Sequence, residues 1–536
     1  MKVIEPRVKL VDYGPKRIFE NYKKGESEII TPDEIVASAA GITYKDTKYF
    51  SEAILRRINE DFGNITKEGY RKDLIGLINS VGEGHASLST TPYIWISIEG
   101  NSSKMIDSLF TSARFGSFLM PSSRRIPIEK ENIVIPREIQ ERGEEASEIY
   151  KRVSEKNIEA YERLQNLGIH KEEAAKIVQY GHLGGGFLSF SLETLVGWRK
   201  EFERNKEHIP KEGIDIIKEI EEIIKQKGMT ICYTARLLSP REPYINPTIF
   251  HNEENEAELT FLREIPSSFI LNSNNLEMEF LRRIRELRKE ILSTYTNEEK
   301  IEENWREISG KLQQICNDFP NAIDITIASL VPWRVWGELK RHRTLMQSAQ
   351  SIYKAADEAV KKLKDEEGIE YKLEEIFSFR PVIRNNEEAK RIWIERIKDS
   401  MNSYERLIKE FGVPKSEAIY IVPRGLKIKV LKKFDTWNVL QGYIPLRLCQ
   451  TAEGEMREIT EADAEIIRSN LPLEVCDFVQ PKCYITGHCH DGIKGKSCGK
   501  IKKRYSFYEE EFDKRIKEKR KEEIKREIES KEDKDS

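Results

Sequence analysis

The sequence predicts a protein of mixed strands and helices, built from two tandem copies of one pattern and followed by a small cysteine-rich module. Three observations predict this organisation. The order strand, helix, polar loop occurs near residue 85 and again near residue 320. A second piece follows each one, since GIHKEEAAKIVQYG from Gly168 resembles GVPKSEAIYIVPRG from Gly412. Four of the seven cysteines then fall between Cys476 and Cys498.

Length and composition indicate the class of protein. A chain of 536 residues exceeds what one hydrophobic core usually serves, so two or more domains are expected. The 89 Lys and Arg against 92 Asp and Glu give a net charge of -3, which argues against a generally basic surface and against nucleic acid as a partner. The sequence has neither a signal-peptide core nor an apolar run of about 18 residues, so we expect a cytoplasmic protein without membrane contact.

Four segments are predicted along the chain. The first boundary falls in SPREPYINP, which is rich in residues that break helices and strands. The final segment mixes both signs of charge at helical spacing, which is typical of a solvated helix or a disordered tail. The predicted boundaries are 1–240 for the first copy, 241–470 for the second, 471–505 for the cysteine-rich module and 506–536 for the tail.

Each copy contains a strand whose side chains alternate. Residues 93–98 alternate Tyr, Trp and Ser with three isoleucines, and residues 323–327 alternate isoleucine with Asp324 and Thr326. A period of two predicts a half-buried strand in both places. Residues 275–315 read instead as long charged helices.

The helix after the second strand is expected to begin at Pro332, since proline is favoured in the first turn. Trp333, Trp336 and Leu339 follow at helical spacing for burial. The basic residues Arg341–Arg343 come next, where a helix dipole favours cations. Adjacent bases nevertheless repel, and they disfavour the protonated form of the histidine between them. That cost points to an anionic partner.

The triplet and its surroundings resemble a known family. Arg341, His342 and Arg343, seven residues and then Ser351 form a pattern that is similar to the signature of the flavin-dependent thymidylate synthases. The resemblance covers most of residues 1–470 and suggests the longer, tandem members of that superfamily. The flanking matches are Gly84 and His85, then Ile98, Glu99 and Gly100, and later Leu446, Arg447, Ala452 and Glu455.

The resemblance implies an α+β fold in which each copy has a sheet with packed helices. It also implies transfer of a methylene group from methylenetetrahydrofolate to carbon 5 of dUMP, with FAD carrying the hydride and NADPH reducing the FAD. Arginines that bind anions through two hydrogen bonds suit reduced flavin and the phosphates of both ligands. No cysteine lies within the signature, which fits chemistry without a protein nucleophile.

Carried over residue by residue, the resemblance implies two sets of contacts. The FAD contacts would be Arg341, His342, Arg343 and His85, although His85 alone also suits a structural histidine. The dUMP contacts would be Glu338, Ser351, Arg447, Ser122, Arg124 and Lys176.

Departures from the family pattern make the copies look complementary. The second copy has Ala349 and Tyr353 where Glu and a substrate-binding Arg are expected, whereas the first retains only Arg114 of the signature triplet. Family members build each site from several subunits of a tetramer, so a tandem chain could assemble a composite site as a homodimer that mimics the tetramer. The alternative is that both copies have decayed into a non-catalytic flavin- or nucleotide-binding paralogue with a metal-stabilised interaction module.

The cysteine-rich segment is a separate signal. In a reducing compartment, clustered thiols and imidazoles are typical of a zinc site, although an iron–sulfur cluster or uncoordinated thiols remain open. The glycines and proline of this segment suit a loop that needs a metal to hold its shape. The predicted ligands are Cys476, Cys483, Cys489 and Cys498, with His488 and His490 as alternates.

Overall fold

The structure is a computed structural model, and it describes most of the chain in two compact units. The described residues are 1–21, 26–40, 67–83, 86–121, 128–244, 246–252, 268–272, 278–295, 301–364, 368–486, 488–489 and 498. Unit 1 comprises Met1–Asn255, Pro332–Arg341 and Gln350–Lys427, and unit 2 comprises Glu256–Val331, His342–Ala349 and Ile428–Ser536. The units therefore do not follow the predicted contiguous copies, because unit 1 takes in segments of the second copy.

Unit 1 is organised around a four-stranded antiparallel sheet. The strands lie in the order Glu5–Gly14, Tyr93–Asn101, Gly186–Ser191 and Gly116–Leu119. The predicted alternation is confirmed, since Ile94, Ile96 and Ile98 are all buried. Lys2–Val3 pairs with Val134–Ile135, and Arg17–Asn21 with Glu26–Ile30, in two further two-stranded sheets.

The sheet of unit 2 has the same order of strands. Its strands are Ser268–Asn272, Asp324–Pro332, Lys427–Asp435 and Met346–Ala349, from one edge to the other. In each sheet, the first two strands along the chain are neighbours, and the fourth lies between the second and the third. A shared order that includes one crossover supports duplication of a single ancestral pattern.

Helices make up most of the rest of both units. In unit 1 they are Pro32–Ala40, Lys67–Gly82, Ala86–Thr90, Ile106–Phe110, Lys130–Asn132, Arg137–Glu141, Glu144–Asn166, Lys171–Ala174, Ala175–Ile177, Leu192–Arg204, Lys211–Gln226, Thr230–Leu237, Trp333–Leu339, Ile352–Leu363, Ile369–Ile376, Pro381–Arg384, Glu387–Lys409, Lys415–Ala418 and Ile419–Ile421. In unit 2 they are Met278–Tyr295, Ile301–Asp318, Thr436–Leu440, Tyr443–Arg447, Gly454–Ser469, Leu473–Cys476 and Lys482–Thr486.

The predicted helices of the second copy are confirmed. Pro332 caps the helix Trp333–Leu339, and both tryptophans and Leu339 are buried as their spacing predicted. The charged stretch in unit 2 forms the helices Met278–Tyr295 and Ile301–Asp318, which pack together through buried apolar residues at intervals of three and four.

Two matching helices of 23 residues pack against each other within unit 1. Glu144–Asn166 belongs to the first sequence copy and Glu387–Lys409 to the second. Asn157 donates to the Ser400 hydroxyl at 3.0 Å in their buried contact. Unit 1 thus joins elements of both copies around one core.

Candidate functional site

Arg341 lies just beyond the helix Trp333–Leu339, where its side chain is held by a carboxylate. Its Nη2 is 2.8 Å from Oδ1 of Asp107, and the side chain remains 43% exposed. Lys340 is buried beside it and donates from Nζ to the backbone carbonyl of Asp107. Asp107 lies in the helix Ile106–Phe110, which follows the inner strand Tyr93–Asn101 of the unit 1 sheet.

A cationic cavity of about 90 Å³ opens in front of this contact, within unit 1. Four basic side chains and two carboxylates contribute to its wall, so the charge around it is predominantly positive. Half of the lining comes from each sequence copy. The lining residues are Lys104, Asp107, Met120, Pro121, Tyr180, Arg334, Gly337, Glu338, Arg341 and Arg424.

Arg424 is the most deeply buried base of this cationic cavity, with 1% of its surface exposed. Its Nε donates to the Val178 carbonyl at 3.0 Å, and the guanidinium lies 5.6 Å from the ring centre of Tyr180. Among the described residues, Nη2 of Arg424 has no hydrogen-bond partner and the side chain forms no ion pair. A buried cationic donor without a partner is costly, and a bound anion would satisfy it.

The pKa values around the cationic cavity follow from burial and from like charges. Burial lowers the pKa of Lys340 to about 7 and that of Arg424 to about 10, and it also lowers the pKa of Lys104. Burial acts to raise the pKa of Asp107, but Lys340, Arg341 and Lys104 outweigh it and hold that pKa below its ordinary value. Asp107 is therefore an anion whose charge is already shared among several cations.

Local structure explains how these side chains converge. Arg334 lies in the first turn of its helix, where its backbone N–H donates to the Arg424 carbonyl at 2.9 Å. Arg424 and Tyr180 occupy matching positions, each just before the closing glycine of the repeated piece. Arg334, Arg424, Lys104 and Asp107 were all missed by sequence reasoning. Only Arg424 had a local signal, because it stands inside a repeat.

His342 and Arg447 are brought together in unit 2. Arg447 Nε donates to Nε2 of His342 at 2.6 Å, and the Tyr443 ring packs against the imidazole edge to face, with centres 4.9 Å apart. Burial, with a further contribution from Arg447, lowers the pKa of His342 to about 3. The histidine is therefore neutral at physiological pH and adds no positive charge to the triplet.

Ser351, Arg343 and Lys176 were also predicted to contact FAD or dUMP, but they do not line the cationic cavity. Ser351 is completely buried as the N-terminal cap residue of Ile352–Leu363, and Arg343 is exposed. Lys176 is also completely buried, and its Nζ donates to Glu173 at 2.8 Å. The structure thus gives Lys176 an internal ion pair, which would have to open before this lysine could contact a nucleotide. His85, Ser122, Arg124 and His490 lie outside the described residues.

The predicted metal ligands are not assembled as one set. Cys476 is buried, and its Sγ lies 3.0 and 3.2 Å from the carbonyl oxygens of Arg468 and Leu471, either of which can accept its one proton. Cys483, Cys489 and Cys498 instead line a second cavity in unit 2. His488 stacks on Trp305, with ring centres 4.5 Å apart. Across the described residues, no three His, Cys, Asp or Glu side chains are grouped closely enough to hold a single metal ion.

The described helices include none that is long and apolar enough to span a bilayer. This result concerns the described part of the chain alone.

Comparison with known proteins identifies a family. The model of the thymidylate synthase complementing protein family matches residues 27–183 and 319–473. A search of curated proteins gave no match. Two matched segments separated by more than a hundred residues agree with the tandem pattern in the sequence.

Solved structures give weaker matches. The UMP/dUMP methylase PolB from Streptomyces cacaoi, bound with 5-Br dUMP, has 13% identity and a TM-score of 0.32; the match covers 46% of this chain and 100% of that one. The flavin-dependent thymidylate synthase ThyX from Helicobacter pylori, complexed with FAD and dUMP, has 15% identity and a TM-score of 0.26, over 40% and 97% of the two chains. At these scores no geometry is transferred.

Proposed function

The chain belongs to the thymidylate synthase complementing protein family, and on this premise we propose that it is an FAD-dependent thymidylate synthase or a close relative that modifies a pyrimidine nucleotide. In the proposed reaction, a methylene group passes from methylenetetrahydrofolate to dUMP, and NADPH supplies the reducing equivalents. The product would be dTMP.

The observation that carries the proposal is the cationic cavity around Arg341 and Arg424 in unit 1. Its volume of about 90 Å³ is the volume that about three water molecules occupy in the liquid. This space suits one phosphate group and not a whole nucleotide. Nη2 of Arg424, which has no hydrogen-bond partner among the described residues, offers a charge-assisted hydrogen bond to such a group. We therefore infer that this cavity takes a phosphate of dUMP or of FAD, while the rest of the ligand extends beyond it.

The protein's own residues would bind and orient the ligand. Arg424 and Arg341 would hold phosphate oxygens, and Asp107 would keep Arg341 in place through the 2.8 Å contact. The bound flavin would supply the hydride.

The cationic cavity also supports a composite site, since its lining draws equally on both sequence copies. A site built from both copies predicts one flavin per chain. We further propose that the protein is a homodimer, in which two tandem chains take the place of four subunits; light scattering on the purified protein would measure its mass.

The test of the proposed function combines flavin content with chemistry. Purified full-length protein is denatured to release flavin, and the folded protein is assayed for tritium release from dUMP labelled at carbon 5, with methylenetetrahydrofolate and NADPH present. We expect about one FAD per chain and tritium release that requires the folate. Two flavins per chain would contradict the composite site, and FAD binding without tritium release would contradict the synthase.

One observation favours a non-catalytic alternative. Tyr353 stands where a substrate-binding arginine is expected, and it is buried with its hydroxyl donating to the His208 carbonyl. This position therefore serves the core of unit 1. A flavin- or nucleotide-binding protein without synthase activity would bind FAD and dUMP but release no tritium.

A further inference from the structure

The second cavity, in unit 2, is distinguished by its sulfur content. It has a volume of about 330 Å³, and four cysteine side chains line it. They are Cys449, Cys483, Cys489 and Cys498. Three of them belong to the cysteine-rich segment, whereas Cys449 lies just after the helix Tyr443–Arg447. We call this the thiol cavity.

The other three cysteines of the chain are placed differently. Cys232, Cys316 and Cys476 are buried, and each donates its thiol proton to a backbone carbonyl. Burial raises the pKa of Cys232 and raises that of Cys316 to about 12, so both are inert as ligands. The seven cysteines thus divide into three whose buried thiols donate to backbone carbonyls and four that line the thiol cavity.

We propose that the four cysteines of the thiol cavity bind an iron–sulfur cluster, with Cys449 as a ligand in place of Cys476. Four thiolates are the usual ligand set of such clusters. The chain supplies them from two separate regions, so the cluster would tie the cysteine-rich segment to the end of the helix Tyr443–Arg447.

The size of the thiol cavity favours a cluster over one ion. Zinc held by four thiolates needs its sulfurs about 2.3 Å from a shared centre, which leaves no open space between them. The thiol cavity instead has room equal to roughly ten water molecules. Ligands of a polynuclear cluster bind different iron atoms and surround a larger centre.

The surroundings of the thiol cavity suit a negatively charged cluster. Arg447 and Lys482 line the same space, and their charges would offset those of the thiolates. The Thr451 hydroxyl lies 3.2 Å from Sγ of Cys449, so it can donate to that sulfur. Hydrogen bonds to ligating sulfurs are a common means of tuning such clusters.

The test compares two single substitutions in the full chain. The protein is purified without oxygen, reconstituted with ferrous iron and sulfide, desalted, and analysed for iron, acid-labile sulfide and zinc; electron paramagnetic resonance is recorded after reduction. We expect iron and sulfide in equal amounts, about four of each per chain for a 4Fe–4S cluster or about two of each for a 2Fe–2S cluster. Cys449→Ser should retain less than half of that iron and lose the resonance signal. Cys476→Ser is the matched control and should keep both, because the serine hydroxyl can still donate its one proton to either the Arg468 or the Leu471 carbonyl.

Several results would overturn the proposal. They are zinc in place of iron, a wild-type chain that holds no iron after reconstitution, or a greater loss of iron from Cys476→Ser than from Cys449→Ser. Circular dichroism and melting temperature report whether each variant is folded. If Cys449→Ser does not fold, Cys498→Ser provides the same comparison at an exposed position. These readouts do not depend on thymidylate synthesis, so they stand apart from the outcome of the enzymatic assay.

Discussion

Replacing Arg424 with methionine should abolish most of the phosphate affinity of the cationic cavity while leaving the fold of unit 1 in place. The substitution keeps a long side chain but removes the buried guanidinium, whose Nη2 has no hydrogen-bond partner in the described structure. Even with its pKa lowered to about 10, Arg424 is protonated at neutral pH. Its charge is therefore available to an anion.

The size of the effect follows from the contact that is lost. A hydrogen bond to a charged group contributes about 1.5 to 3 kcal/mol. Since about 1.4 kcal/mol corresponds to a tenfold change in affinity, loss of one such bond should weaken phosphate binding about 10- to 150-fold. Arg424→Lys keeps the charge but replaces the planar fork of donors, which reaches Val178 and the cationic cavity from different nitrogens, with one ammonium, so its affinity should be intermediate.

Isothermal titration calorimetry with inorganic phosphate and with dUMP measures this change. Arg163→Met is the control, because Arg163 is an exposed arginine that pairs with Glu388, and neither residue lines the cationic cavity. The control should bind as the wild type does. Equal phosphate affinity of folded Arg424→Met and the wild type would refute the assignment of the cationic cavity.

Three further predictions concern titratable groups. Asp107→Asn should lower the melting temperature at neutral pH, because it breaks the ion pair with Arg341. Since the pKa of Asp107 lies below its ordinary value, the stabilisation by its carboxylate is present above about pH 4 and is lost at lower pH. The melting temperatures of the variant and the wild type should therefore converge in acid. Burial and a neighbouring carboxylate raise the pKa of Glu417 to about 8, so the folded chain binds more protons than the unfolded chain between about pH 4 and 8. Glu417→Gln should therefore raise the free energy of unfolding more at pH 8 than at pH 5. An equal change at both pH values in urea titrations would contradict this. His342 should show no titration above about pH 4 in its proton NMR shifts, because burial and Arg447 lower its pKa to about 3; a midpoint near 6.5 would show an exposed imidazole.

Local patterns in the sequence were sufficient to predict several strands and helices. The alternation at residues 93–98 and the spacing of Trp333, Trp336 and Leu339 each gave the correct element and buried face. The duplication was also visible, and the shared order of strands in both sheets supports it. Such features depend on neighbours within a few positions, which is the range over which side-chain period reports secondary structure.

The triplet shows where a linear pattern stops being informative. Arg341 belongs to unit 1 and lines the cationic cavity, whereas His342 belongs to unit 2 and is a neutral partner of Arg447. The sequence presents three adjacent bases as one patch of charge. Burial removes the charge of His342, and a carboxylate holds Arg341, and both effects come from residues that are distant in the chain.

From the amino-acid order alone came the family resemblance, the two copies, the strand and helix periods and the richness in cysteine near the end. Tertiary structure decided which charged and sulfur-bearing side chains share a space. It placed Arg424 and Lys104 with Arg341 around the cationic cavity, and it lined the thiol cavity with Cys449 and not with Cys476. The physical reason is that burial, ion pairing and ligand geometry depend on distances through space, which a one-dimensional pattern does not contain.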